Sequence, residues 1–183
     1  MENAVEFKMV EKPDLEGYTL IEGFPGIGLI GTIAVGYLTE KLDTRCIGYI
    51  FSKNFPPMAS IHKGEPVFPA RIYVDDEHEL VLIFSELVVP SNTVYDIATT
   101  LLEWAKKNKI SRIISLAGMS ARIGITEEKP QIYGIASTKK MGEELTKKGV
   151  KLITEGVTTG VSGILMAKCK VENFPAMSLL IES

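Results

Sequence analysis

At 183 residues, with 45% hydrophobic and 23% charged residues, the chain has the size and composition of one globular domain over residues 1–183. A net charge of −3 and a pI of about 5.5 argue against an electrostatic nucleic-acid surface, and no apolar run approaches the roughly 18 residues of a membrane span. The opening Met1-Glu2-Asn3-Ala4 lacks a signal peptide's basic region, and Cys46 and Cys169, in apolar surroundings without metal-ligand spacing, read as buried thiols of a reducing cytoplasm.

Residues 4–10 alternate apolar and polar, which predicts an edge or outer strand, and 13–17 form a turn. Residues 18–21 read as a buried strand, 27–42 as a helix and 45–51 as the next strand. An irregular β region follows at 58–62 and 70–74 with a turn at 63–66, then a polar hairpin turn at 75–78 and a strand at 80–84, so this middle section reads as antiparallel. Residues 91–109 carry Val94, Ile97, Ala98, Leu101 and Ala105 at spacings of three and four, which predicts an amphipathic helix with Ser91 as N-cap after Pro90. Lys106, Lys107 and Lys109 at its end complement the helix dipole. Strands at 112–116, 132–136, 151–153 and 176–181 then alternate with helices at 137–148 and 159–168, and a loop spans 118–130. The alternation predicts an α/β fold: a mixed, largely parallel central sheet with helices on both faces and the antiparallel section in mid-chain. The chain ends only two residues after an apolar strand, which reads as a truncated or trimmed terminus.

The segment from Gly23 to Gly31 holds Gly26-x-Gly28-x-x-Gly31, the spacing of a dinucleotide-binding turn. The acidic residue that such a site needs about 20 positions on is missing, since Asp43 precedes the second strand. Phe24-Pro25 also lengthens the turn. The reading adopted is packing: Gly28 and Gly31 let a helix approach the sheet, and Gly23 and Gly26 supply unusual backbone angles.

In an open α/β sheet, ligands sit beyond the carboxyl ends of the strands. Those ends are residues 22–28, 86–92, 118–120 and 158–163, a crevice rim in which Gly26, Gly28, Ser91, Asn92, Thr159 and Gly160 are candidates and Glu86 is taken as the one carboxylate. Residues 158–163 present backbone N–H groups to an anion or simply cap a helix. No nucleophile elbow, phosphate loop or metal-ligand spacing accompanies them, and His62 and His78 both read as surface residues. No cofactor or metal is therefore expected, and the chain does not read as an enzyme. Phe55 and Met58, in Phe55-Pro56-Pro57-Met58, and Phe68, in Val67-Phe68-Pro69, pair aromatics with proline in irregular segments. Each is a candidate interface or a loop covering the core.

Six segments, in order, resemble the proteasome assembly chaperone family and in particular its archaeal homologues: Gly23-Phe24-Pro25-Gly26-Ile27-Gly28, His62-Lys63-Gly64-Glu65-Pro66, Val88-Val89-Pro90-Ser91, Leu116-Ala117-Gly118-Met119, Tyr133-Gly134-Ile135-Ala136-Ser137, and Gly156-Val157-Thr158-Thr159-Gly160-Val161-Ser162-Gly163. The resemblance implies a fold akin to purine-nucleoside phosphorylases and hydrolase-like folds without their catalytic groups. It also implies a cytoplasmic protein that forms homo-oligomers and binds proteasome α-subunits. Such proteins carry a C-terminal tail ending in a hydrophobic residue, Tyr and any residue, whereas this sequence ends Ile181-Glu182-Ser183. The expected function is a non-enzymatic assembly protein. The alternative is a small-molecule or nucleotide-binding enzyme using the strand-end crevice.

Overall fold

Alternation of side chains along each strand sorts the apolar residues onto two faces of one sheet, and the helices follow that sorting. The computed structural model describes residues 5–120 and 131–182. In chain order the elements are β1 (Val5–Met9), β2 (Thr19–Gly23), α1 (Ile30–Lys41), β3 (Arg45–Ser52), β4 (Ser60–His62), β5 (Glu65–Val67), β6 (Ala70–Asp75), β7 (Leu80–Ser85), α2 (Val94–Lys107), β8 (Arg112–Met119), β9 (Ile132–Ala136), α3 (Lys139–Lys147), β10 (Lys151–Leu152), α4 (Gly160–Val171) and β11 (Ala176–Glu182).

Nine strands form one sheet in the order β1-β3-β6-β7-β2-β8-β11-β9-β10, and β4 and β5 form a separate hairpin. The pairs β7–β2, β2–β8, β8–β11 and β9–β10 are parallel. The pairs β1–β3, β3–β6, β6–β7 and β9–β11 are antiparallel, as is β4–β5. Among the described residues the nine-stranded sheet thus has four parallel and four antiparallel pairs, and the separate hairpin adds a fifth antiparallel one, which overturns the expected largely parallel, phosphorylase- or hydrolase-like sheet. Antiparallel pairing is not confined to the mid-chain hairpin of β6 and β7: it also joins β1 to β3, β3 to β6 and β9 to β11. Alternation of strands and helices suggests parallel neighbours, but β11 lies between β8 and β9 and runs against β9.

One face of the sheet carries Leu20, Val81, Ile83 and Ile113, packed under Ile97 and Leu101 of α2 and Leu165 of α4. The other carries Ile21, Leu82 and Phe84 under Val35 of α1. The register Ile21↔Ile114 and Ile114↔Met177 places Met177 on that second face, where Met141 and Leu145 of α3 meet it. α2 shows why its sequence chose a helix: Ile97, Ala98, Leu101, Leu102 and Ala105 form one buried stripe, with Asp96 in the first turn and Lys106 and Lys107 in the last. Its start differs from expectation. Ser91 opens a 3-10 turn, and Thr93 holds the N-cap position without a side-chain capping bond.

The glycine turn does pack, but two of its glycines exchange roles. A Cβ on Gly31 would lie 2.1 Å from the Leu116 carbonyl oxygen, and one on Gly23 would lie 2.1 Å from that of Gly31. Gly23 is therefore a contact glycine, and Gly28, at φ +65°, supplies the left-handed backbone. A 3-10 turn over Ile27–Leu29 delays α1 to Ile30. β8 runs on to Met119, past its expected end, and residues 121–130 of the expected loop lie outside the described residues.

Candidate functional site

Two clusters lie at the end of the sheet where β2, β7 and β8 terminate. The first is a cavity of about 480 Å³ between the β2–α1 turn, the end of β8 and the start of α4. It brings together Gly26, Gly118, Met119, Ser120, Thr159 and Gly160. Glu86, Ser91 and Asn92 do not line it, and neither does Gly28. The expected rim is therefore split, and its one recognised carboxylate stands elsewhere.

Behind this cavity is a carboxylate that the reading of strand ends did not single out. Glu22 is fully buried. It accepts the Ser162 hydroxyl at 2.9 Å and the Phe24 N–H at 3.3 Å. No salt bridge reaches it among the described residues. Burial pushes its carboxyl above the ordinary value, and the surrounding donors offset this only in part. The register Glu22↔Ser115 and Ser115↔Ser178 makes a buried polar row across β2, β8 and β11. The Ser115 hydroxyl has no hydrogen-bond partner among the described residues. A signal was present in the sequence: Glu22 and Ser162 interrupt otherwise apolar, core-facing runs.

The second cluster sits where β6, β7 and the β4–β5 hairpin meet. Glu86 accepts Arg71 Nη2 at 2.8 Å, and His62 Nε2 lies 3.0 Å from both Glu86 Oε1 and Arg71 Nη2. Arg71 is buried, with its guanidinium 5.1 Å from the Phe84 ring. Burial raises the Glu86 carboxyl, but bonds from Ser60 and His62 and the charge of Arg71 together outweigh it and hold the group below its ordinary value. His62 is exposed as expected, yet its ring helps to join the hairpin to the sheet. His78, also exposed, bonds Asp75 at 2.7 Å.

The apolar candidates divide. Phe55 is half-buried against the main core, so it covers the core. Met58 and Phe68 are exposed, and the Phe68 ring stacks on Tyr49 at 4.5 Å. The register Ala70↔Ser85 and Tyr49↔Arg71 brings the end of β3, the start of β6 and the end of β7 to the same edge of the molecule. Leu29, Met58, Ile61, Phe68 and Val88, all exposed, belong to segments that leave the sheet there. Cys169 is buried, with its thiol pushed up to about 12 by burial. Cys46, expected to be buried, is exposed, and it stands beside a register shift between β3 and β6. Among the described residues no helix is long and apolar enough to cross a membrane, and no group of three or more His, Cys, Asp or Glu residues is placed to hold a metal ion.

The PAC2 family model matches residues 20–183. Pyrococcus furiosus PbaA, described as an archaeal homolog of proteasome-assembly chaperone, has a similar structure with a TM-score of 0.89 at 33% identity, over 98% of this chain and 73% of that one. Uncharacterized protein MJ0106 of Methanocaldococcus jannaschii is 29% identical over 183 residues, which cover all of this chain and 74% of the relative. Pyrococcus furiosus PbaB, described as an archaeal proteasome activator, has a TM-score of 0.82 at 24% identity, over 99% of this chain and 81% of that one, a likeness of fold.

Proposed function

Because this chain belongs to the PAC2 family and is homologous to PbaA, we propose that it is a non-enzymatic proteasome-assembly protein of the cytoplasm that self-associates and binds proteasome α-subunits. The observation that carries this reading is the 33% identity to PbaA across 98% of the chain. The apolar residues at the strand-end edge support it, because exposed aliphatic and aromatic groups gathered at one end of a domain favour a protein partner. The work of such a protein is differential binding: it stabilises one arrangement of α-subunits over others and leaves when a later arrangement binds it less well. Catalytic groups are not needed for that. Glu86 is consumed by Arg71 and His62, away from the cavity that holds Gly26, Thr159 and Gly160.

Native mass spectrometry of the chain mixed with archaeal proteasome α-subunits tests the reading. The expected result is a complex of defined stoichiometry. An absence of any complex, together with a rise in melting temperature when nucleosides or nucleotides are added, would replace it with a small-molecule role for the cavity.

A further inference from the structure

β1 forms one edge of the nine-stranded sheet, and β3 is its one strand partner among the described residues. The register Met9↔Gly48 continues to Val10, whose N–H donates to the Ile47 carbonyl at 2.8 Å. Backbone groups alternate in direction along an antiparallel strand. Lys8 and Glu6 therefore turn theirs toward β3, and Val5, Phe7 and Met9 turn theirs to the open edge. Phe7 packs against Trp104 of α2 with ring centroids 5.8 Å apart, so the strand is anchored before any partner arrives.

An open edge is usually guarded by a charge, often a lysine. Here the guard consists of two opposite charges. Glu6 and Lys8 project from the same face, 3.8 Å apart, with side chains 61% and 45% exposed. Their order is self-complementary. If a second β1 lies antiparallel with Phe7 opposite Phe7, Glu6 stands opposite the partner's Lys8 and Lys8 opposite the partner's Glu6. Val5 then stands opposite the partner's Met9. The outward backbone groups of both strands are matched, which makes about six main-chain hydrogen bonds.

We propose that β1 is a dimerisation edge at which two copies of this chain join by antiparallel β1–β1 pairing about a two-fold axis through Phe7, with two Glu6–Lys8 pairs fixing the register. The contact is isologous, as a two-fold dimer requires, and it joins the two nine-stranded sheets into one. An unrelated extended peptide could use the same backbone groups, but a charge pattern that complements its own reverse favours a second copy. The opposite edge, β10, has only two residues. The proposal rests on the self-association reading above and specifies its surface.

Sedimentation velocity of wild type, Glu6→Lys, Lys8→Glu and an equal mixture of the two variants tests it, with circular dichroism to verify folding. Each variant alone sets like charges opposite each other at both cross-strand positions. Its dimer dissociation constant should rise about tenfold or more at low salt, and the difference should shrink at high salt. The mixture restores both opposite-charge pairs and should recover the dimer as a one-to-one heterodimer. If wild type and both variants associate equally, β1 is not the interface, although self-association stands. If the variants dissociate and the mixture does not recover, the register is wrong. If wild type stays monomeric at the highest concentration reached, the self-association reading falls together with the proposal.

Discussion

The parallel half of the sheet and the antiparallel half each hold an acidic residue near a strand end, and they treat it in opposite ways. In the parallel half, Glu22 is sealed under α4 and satisfied by the Ser162 hydroxyl and the Phe24 N–H, with no cation bound to it among the described residues. In the antiparallel half, Glu86 is about a third exposed and carries both Arg71 and His62. One carboxylate raises its pKa and the other lowers it. The difference shows where the molecule is closed and where it is open. β2, β8, α1 and α4 meet through close glycine contacts and buried hydroxyls. The hairpin rim leaves charges and apolar side chains in contact with solvent.

The largest expected effect breaks the closed half. Gly31→Ala places a methyl group 2.1 Å from a backbone oxygen of β8, and neither partner is a flexible side chain. α1 must lift from the sheet, at about 3 kcal/mol or more, read as a fall in melting temperature. The hairpin of the open half differs: a side chain on Gly64 meets nothing within 4 Å, so the loss there is limited to the strain of φ +83°.

Glu22→Gln sharpens the electrostatic side of the comparison. Burial raises the folded carboxyl above its ordinary 4.5, so the folded state holds the proton longer than the unfolded chain does. Wild-type stability is then greatest below that ordinary value and declines as pH rises through the folded pKa. The glutamine variant lacks this decline. Denaturant melts from pH 4 to pH 8 should show the variant gaining on wild type as pH rises. A constant gap across the series would mean that Glu22 is not held by burial.

Much of this arrangement was legible in the residues. The stripe of α2 and the edge position of β1 followed from periodicity, and Gly31 as a packing glycine followed from spacing, whereas Gly23 and Gly28 exchange the roles read for them. Strand direction was legible only at the mid-chain hairpin of β6 and β7; the antiparallel pairs β1–β3 and β9–β11 were not, because an apolar run reads alike whichever way its neighbours run. The crevice was legible only in part. Strand ends locate Gly26 and Thr159, but whether Glu86 joins them depends on where residues 53–69 fold back. That excursion brings Ser60 and His62 to Glu86 and draws it toward Arg71. Glu22 escaped attention because a strand-end reading looks for groups facing outward, and it faces into the core.

A smaller asymmetry is expected inside the Arg71–Glu86 pair. Glu86→Gln leaves a buried guanidinium without its counter-charge, whereas Arg71→Met leaves a carboxylate that water can reach. After allowance for the exposure of Glu86, the first should cost about 2 kcal/mol and the second about 1 kcal/mol. Chemical denaturation of the two variants gives the order directly. The reverse order would mean that the packing of Arg71, whose guanidinium lies over the Phe84 ring, matters more than its ion pair with Glu86.

The smallest stability effect carries the sharpest functional consequence. Phe68→Ala removes one stacked ring from Tyr49, worth about 1 kcal/mol, and leaves the sheet and the β1 edge untouched. If the rim serves a client while β1 serves self-association, this variant keeps the wild-type oligomer mass and loses α-subunit binding. A change in oligomer mass would instead make the rim the self-association surface, and the division of labour between the two edges of the antiparallel half would fail. The two measurements use the same purified variant, sedimentation alone and then native mass spectrometry with α-subunits, so fold damage appears in both and a lost client contact in only one.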